Sequence, residues 1–398
     1  MKKSPVIIGA ALIVLLHSCQ PYQDAPTENQ YLAGVHQTVD LNIDELYDSF
    51  GVEDYPEITS KLEYIITCRS FRAVVITYYT TDPAGNPVVA DGTLYYPLDR
   101  DIKGVVEMSG IAHMNKNGGS SEDIPVLEAL PVLAGYAVIL PDMIGYGKYG
   151  NTKEMYHPFM MIDNLGKTAW DMRQAAIEFF AGLGYRVPRK TVISGYSYGG
   201  GVGLAVARYY QEHHSLEVSV DRVIVGGGAY DLNATFDGFA KNPICIYPLL
   251  PGIIMSLDHY YGLELDYSQI FKGPLVDHYQ QWYDRTRNAS GLIALISEDM
   301  RNYMHPDFFK PREERNAEFQ KIQPVLDMNS AVDGWVPRMP IYIFHSTEDL
   351  YVPVEAAEYA YQTFKKNGAY VQYQSGPGTH ADWGVKAFAP LLLYLAVE

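Results

Sequence analysis

The feature that most constrains this chain is a strand that runs into Gly195-Tyr196-Ser197-Tyr198-Gly199 and leaves it as a helix. Lys190 to Ser194 is β-branched and apolar, and Tyr198 to His213 is a helix-forming run, so Ser197 falls on a sharp strand-to-helix turn. Flanking glycines relieve the crowding that a strained backbone creates around the serine. A serine hydroxyl is a poor nucleophile until a base takes its proton and the backbone presents it unhindered. The helix N-terminus beneath it also favours developing negative charge. Ser197 is the expected nucleophile.

The rest of the chain supplies the setting for that turn. Phe71 to Tyr79 and Pro87 to Tyr96 are rich in Val, Ile, Thr and Tyr around Asp82-Pro83-Ala84-Gly85-Asn86, which is a hairpin signal. Gly104 to Met108, Tyr136 to Leu140, Lys190 to Ser194, Val220 to Val225 and Ile341 to Phe344 then read as strands separated by helical patterns. Continuous apolar strands with helices between them indicate a largely parallel sheet covered on both faces. A long amphipathic helix is expected over about Asp163 to Leu183, with Trp170, Ala176, Ile177 and Phe180 buried. From about Phe236 to Asp333 the alternation breaks into a Pro-punctuated helical stretch, a candidate cap. Its apolar piece, Ile246 to Met255, either lines an acyl pocket or packs the cap onto the core. Short helices are expected over Asn42 to Leu62. The organisation expected is a leader at 1–18, a tether at 19–41, a core at 42–235 and 333–398, and a cap at 236–332.

The turn predicts its partners in the order serine, acid, histidine. After the strand Ile341 to Phe344 comes His345-Ser346-Thr347-Glu348-Asp349, where a carboxylate at a strand end can hold an imidazole in its working tautomer. Asp349 is the choice, with Glu348 the rival. His380, in Gly376-Pro377-Gly378-Thr379-His380 after a short strand Tyr370 to Gln374, is the expected base, with His113, His157 and His345 as fallbacks. The oxyanion of acyl transfer needs two placed donors: Tyr198 N–H directly after the nucleophile, and Ile111 N–H from the loop Ser109-Gly110-Ile111-Ala112-His113. Pro141 to Gly147 reads as a structural turn. Gly199-Gly200-Gly201-Val202-Gly203 reads as close helix packing rather than a phosphate loop. No metal site and no cofactor are expected.

Composition narrows the partners. A net charge of −17 without any basic stripe argues against nucleic acid. The 33 tyrosines either line sites where a ring is buried with its hydroxyl wet or reflect compositional habit. Lys2, Lys3 and the apolar run Val6 to Leu16 form an export signal too short to span a bilayer. Leu16-His17-Ser18-Cys19 resembles the lipobox of bacterial lipoproteins, with His17 departing from the usual small residue. The resemblance implies lipidation at Cys19 and a membrane-anchored place in the bacterial envelope, at the outer membrane; otherwise the chain is secreted or periplasmic. Cys68 and Cys245 read as buried free thiols.

From about Tyr78 onward the chain resembles the secretory lipase branch of the α/β-hydrolases. The likeness is carried by Tyr78 to Pro87 leading to Gly92-Thr93-Leu94-Tyr95-Tyr96-Pro97, by Asp142 to Gly147, the Ser197 turn, Gly226 to Thr235, Asp349 with Val352-Pro353, and His380. It implies the α/β-hydrolase fold with a helical cap and hydrolysis of carboxylic esters, acylglycerols included. The chain departs from that branch around Ser109 to Gly119 and within the cap, so ester hydrolase rather than lipase is the expectation. Two alternatives stand beside it: a serine peptidase of the prolyl oligopeptidase kind, and a non-catalytic surface binding protein on the same fold. Only 178 positions separate Cys19 from Ser197, too few for the large β-propeller that usually precedes such peptidases.

Overall fold

Runs of β-branched and aromatic residues cannot cover both faces of a strand with water, and in this chain they pair into one twisted sheet with helices on either side. A computed structural model describes residues 21–24, 29–45, 66–125 and 127–397. The sheet opens with three antiparallel strands, β1 (Leu32–Asn42), β2 (Ser70–Thr81) and β3 (Pro87–Pro97). Six further strands run parallel to one another: β4 (Val105–Ser109), β5 (Ala137–Pro141), β6 (Lys190–Tyr196), β7 (Ser219–Gly226), β8 (Ile341–Ser346) and β9 (Val371–Gly376). The order across the sheet is β1-β2-β3-β5-β4-β6-β7-β8-β9, with β3 antiparallel to β5. This is the architecture of the α/β-hydrolases, and the carboxyl ends of the parallel strands share one edge, where such sheets place their chemistry.

Each expected strand lies within two residues of an observed one. The β2–β3 turn is held by Asp82, whose carboxylate accepts from Asn86 N at 2.8 Å while its carbonyl accepts from Gly85 N at 2.9 Å. The expected long helix is α1 (Ile162–Gly182), and Ala176, Ile177 and Phe180 are buried as its periodicity requires. It packs Met172, Ala175, Ile177 and Phe180 against β2, β3 and β5. Trp170 turns instead toward the core shared with the helix after Ser197, α2 (Tyr198–His213).

The expected tether over 19–41 is corrected by the structure. Leu32 to Asn42 is the edge strand β1, and the amides of Gln30, Tyr31 and Leu32 all donate to the Glu178 carboxylate of α1, at 2.8, 3.0 and 2.6 Å. Two register shifts, at Leu32/Gly34 and Val35/Gln37, break the alternation that would mark a strand in the sequence. Of the short helices expected over 42–62, Asn42 caps a turn at Ile43 to Glu45 by accepting from the amides of Asp44 and Glu45; the remainder lies outside the described residues, as do the leader and Cys19.

Under the sheet Glu107 of β4 meets Arg173 of α1 at 2.7 Å, both almost wholly buried. Burial raises the Glu107 carboxyl above its ordinary value, and Arg173 draws it part of the way back. Removing one partner leaves a charge unmatched in low dielectric. Arg173→Met is expected to lower the unfolding free energy by about 3–5 kcal/mol, read as a shifted urea midpoint at unchanged slope. Arg173→Met with Glu107→Leu should recover most of that loss.

Between β7 and β8 the chain forms α3 (Leu232–Lys241), α4 (Leu250–Tyr261), α5 (Leu275–Trp282), α6 (Ala289–Ile296) and α7 (Ala317–Met328). Ile253, Ile254 and Met255 of α4 join the main core cluster, so much of the apolar piece Ile246 to Met255 packs. The remaining helices are α8 (Val354–Lys366) and α9 (His380–Val397), which covers the other face through Trp383, Phe388, Leu391 and Leu395. Cys68 and Cys245 are both buried and free.

Candidate active site

β6 ends at Tyr196, α2 begins at Tyr198, and Ser197 between them has φ 60° and ψ −129°. A non-glycine residue pays about 1–3 kcal/mol for such a backbone, and the surrounding packing holds it there. A Cβ at position 195 would lie 2.2 Å from the Gly199 carbonyl oxygen, and one at 199 would lie 2.2 Å from that of Ser109. The two glycines therefore let α2 start directly beneath the serine and touch the end of β4. Tyr198 opens α2, so its N–H is one of the first-turn donors that have no acceptor within the helix.

The expected acid lies in the loop after β8. Asp349 is fully buried at its side chain, and its Oδ2 accepts from His380 Nδ1–H at 2.6 Å. Its Oδ1 accepts from the amides of Tyr351 and Val352 at 2.8 and 3.0 Å. Burial pushes this carboxyl up, but the His380 hydrogen bond and the neighbouring imidazoles outweigh it, and the group sits below its ordinary value. Asp349 is thus held as a carboxylate. Glu348, the rival, points elsewhere: its Oε2 accepts from Gly378 N at 3.1 Å. Ser346 completes the stitch by donating to the Gly378 carbonyl, so the acid loop and the His380 loop are tied at several points.

His380 opens α9 rather than lying in the preceding loop. Its Nε2 is buried with no hydrogen-bond partner among the described residues, and it lines the same cavity of about 690 Å³ as Ser197. Gly227, at φ 58°, makes room for the ring, because a Cβ there would come within 2.9 Å of His380 Cε1 and of the Tyr196 hydroxyl. The fallback histidines are placed differently. His157 is buried with Nδ1 2.7 Å from the Ile144 carbonyl, and burial drives it down to about 3, so it stays neutral. His113 packs edge-on against Tyr146. His345 is buried beside Asp349, with its Nε2–H directed to the Val352 carbonyl at 3.0 Å.

Ile111 stands half exposed on the wall of the Ser197 cavity, in the loop that follows β4. The turn after β5 is structural, as expected. Asp142 accepts from the amides and hydroxyls of both Ser120 and Ser121, which pins the loop that leads away from Ile111. Asp91 does the same for Tyr149 and Gly150, at 2.7 and 2.8 Å.

A family model of secretory lipases matches residues 120–377, well over half of the chain; the match takes in Ser197 and Asp349 and ends just before His380. The chain belongs to the secretory lipase family. It is a carboxylic-ester hydrolase. Solved structures agree on the fold of this secretory lipase family member. A Legionella pneumophila protein described as a hydrolase superposes with a TM-score of 0.76 at 18% identity, over 92% of this chain and 97% of the other. The rice cell wall degrading esterase LipA of Xanthomonas oryzae gives 0.72 at 20% identity, over 91% and 96%. Candida antarctica lipase A in its closed state gives 0.59 at 15%, over 96% and 86%. At these identities the likeness is one of fold. No curated protein matches by sequence.

Three tyrosines of this secretory lipase family member were not singled out by sequence reasoning. Tyr351 stacks on the His380 ring at 4.6 Å and 9°, and Tyr247, from the insertion, stacks on Tyr351 at 5.5 Å. The Tyr247 hydroxyl donates to the Ala112 carbonyl at 2.7 Å, beside Ile111. Tyr196 donates to the His380 carbonyl at 2.5 Å. The high tyrosine count was the available signal, but no local pattern separates these three from the others.

Proposed function

We propose that this chain is an exported serine hydrolase that cleaves carboxylic esters through an acyl-enzyme, with Ser197, His380 and Asp349 as its triad. The observation that carries the reading is the 2.6 Å contact from His380 Nδ1 to buried Asp349, with His380 lining the same cavity as Ser197 and its opposite nitrogen without a partner among the described residues. Ser197 Oγ attacks the ester carbonyl and passes its proton to His380 Nε2. Asp349 keeps the other ring proton on Nδ1 and stabilises the imidazolium. The N–H groups of Tyr198 and Ile111 receive the oxyanion. His380 then gives its proton to the leaving alcohol, and water repeats the sequence to release the acid. Residues 236–332 form the cap over this site, on a core that begins with β1 and resumes at 333–398, and Tyr247 brings the cap to the cavity wall.

A fluorophosphonate tests this directly, since only an activated serine adds to it. One covalent adduct per chain is expected, mapped to Ser197; its absence, or an adduct on another serine with Ser197 free, would overturn the assignment.

We further propose that Cys19 is lipidated and anchors the enzyme in the bacterial envelope. The lipobox-like run before it supports this, as does the family's secretory character. No helix among the described residues is long and apolar enough to cross a membrane. Cells given labelled palmitate should incorporate it into the chain, and Cys19→Ser should abolish the label. Equal labelling of both would end the proposal.

A further inference from the structure

The cavity that holds Ser197 adjoins a second, of about 430 Å³, and the residues common to both walls are Ser109, Ile111 and Glu128. Glu128 is the unusual one. It is half-buried on this shared wall, and no hydrogen bond or ion pair from another side chain among the described residues reaches its carboxyl. Burial raises it above its ordinary value. Asp142, also on the wall of the second cavity, is by contrast fully occupied by Ser120 and Ser121. Neither wall, among the described residues, carries a lysine or an arginine. The neighbouring Tyr95 hydroxyl is directed to the Pro125 carbonyl at 2.7 Å and so does not serve Glu128.

A carboxyl in this position is tolerable in the empty site because water reaches it through the cavities. A bound substrate displaces that water. If the group laid against Glu128 is plain alkyl, the carboxyl is left buried with nothing in return, whereas a hydroxyl or an ammonium replaces the lost water bond. The asymmetry is large because leaving a buried polar group unpaired costs more than a good pair gains.

We propose that Glu128 is a specificity-determining residue that selects esters carrying a hydrogen-bond-donating group, a hydroxyl or an ammonium, and disfavours plain alkyl esters of the same size. The inference rests on the ester-hydrolase reading of Ser197. It places the discriminating group in the loop between β4 and β5, and it gives the acid-lined site a substrate class of complementary chemistry.

The test compares kcat/KM on size-matched pairs with the full chain: 2-hydroxyethyl against propyl butyrate, and 2-(dimethylamino)ethyl, protonated at neutral pH, against 3-methylbutyl butyrate. In the wild type the donor ester of each pair should be favoured by about 10–100-fold. Glu128→Leu should bring both ratios close to one, partly by raising turnover of the alkyl ester, an outcome that general damage to the fold cannot produce. Glu128→Gln, of the same shape, should keep the hydroxyl preference and lose most of the ammonium preference. Ratios unchanged in Glu128→Leu, or a wild type that prefers the alkyl ester in both pairs, would overturn the proposal. Failure of the underlying reading looks different: every ester would then be turned over equally by Ser197→Ala.

Discussion

Replacing Ser197 with alanine is expected to lower kcat on a short nitrophenyl ester by on the order of 10⁵–10⁶-fold, with the circular dichroism spectrum and urea midpoint close to those of the wild type. The loss amounts to about 7–8 kcal/mol of transition-state stabilisation. It is this large because in the proposed mechanism the hydroxyl is the attacking atom, and without it the imidazole, the carboxylate and the oxyanion donors have nothing to act on. Substrate binding is not the target, so KM should change little. The fold is expected to survive because the turn depends on Gly195 and Gly199, whose Cα hydrogens allow the close contacts to Gly199 and Ser109. Alanine relieves none of the strain at φ 60°, so no large gain in stability should appear either. A variant that kept more than a hundredth of wild-type turnover would sink the assignment of Ser197.

Asp349→Asn is expected to cost about 10⁴-fold in kcat while leaving the loop in place. The asparagine oxygen can still accept from the Tyr351 and Val352 amides, which Asp349 Oδ1 does now. Its NH2 group then faces His380 Nδ1, which must become the acceptor. The ring proton moves to Nε2, and the lone pair that should take the serine proton is gone. The catalytic loss therefore follows from the wrong tautomer rather than from disorder. Glu348→Gln serves as the control: it keeps an acceptor for Gly378 N and should cost less than about tenfold. A larger loss for Glu348→Gln than for Asp349→Asn would exchange the two roles.

The same carboxylate leaves a mark on stability. Its folded value lies below the ordinary one, so the unfolded chain holds more protons on this group as the pH falls. The stabilisation is present above the unfolded value, near 3.9, and is lost as the pH drops through the folded value. Asp349→Asn should flatten the acid limb of the melting temperature accordingly.

Much of this site was legible from local chemistry. Ser197 announces itself because a strand, two glycines and a helix are all local signals. Asp349 and His380 were legible as candidates by order and by their place after strands, and Glu348 could be named as rival but not dismissed from sequence, because two adjacent carboxylates differ only in which way the loop turns them. β1 was not legible: two register shifts destroy its alternation, and what holds it is pairing with β2, with its start anchored by Glu178 nearly 150 positions away. Tyr247, Tyr351 and Glu128 were invisible for the same reason. Tyr351 matters through His380 and Tyr247 through Ala112, each from another element, and Glu128 through the lack of a partner side chain among the described residues.

The nucleophile turn, the parallel sheet and the triad candidates thus came from the sequence by itself, since propensity, glycine placement and strand-end position are properties of short segments. Which carboxylate meets the imidazole, which tyrosine lies on it, and which acid lines both cavities were decided by tertiary structure alone. These depend on distances of a few ångströms between segments far apart in the chain, and only the packing of the whole sheet and its helices sets those distances.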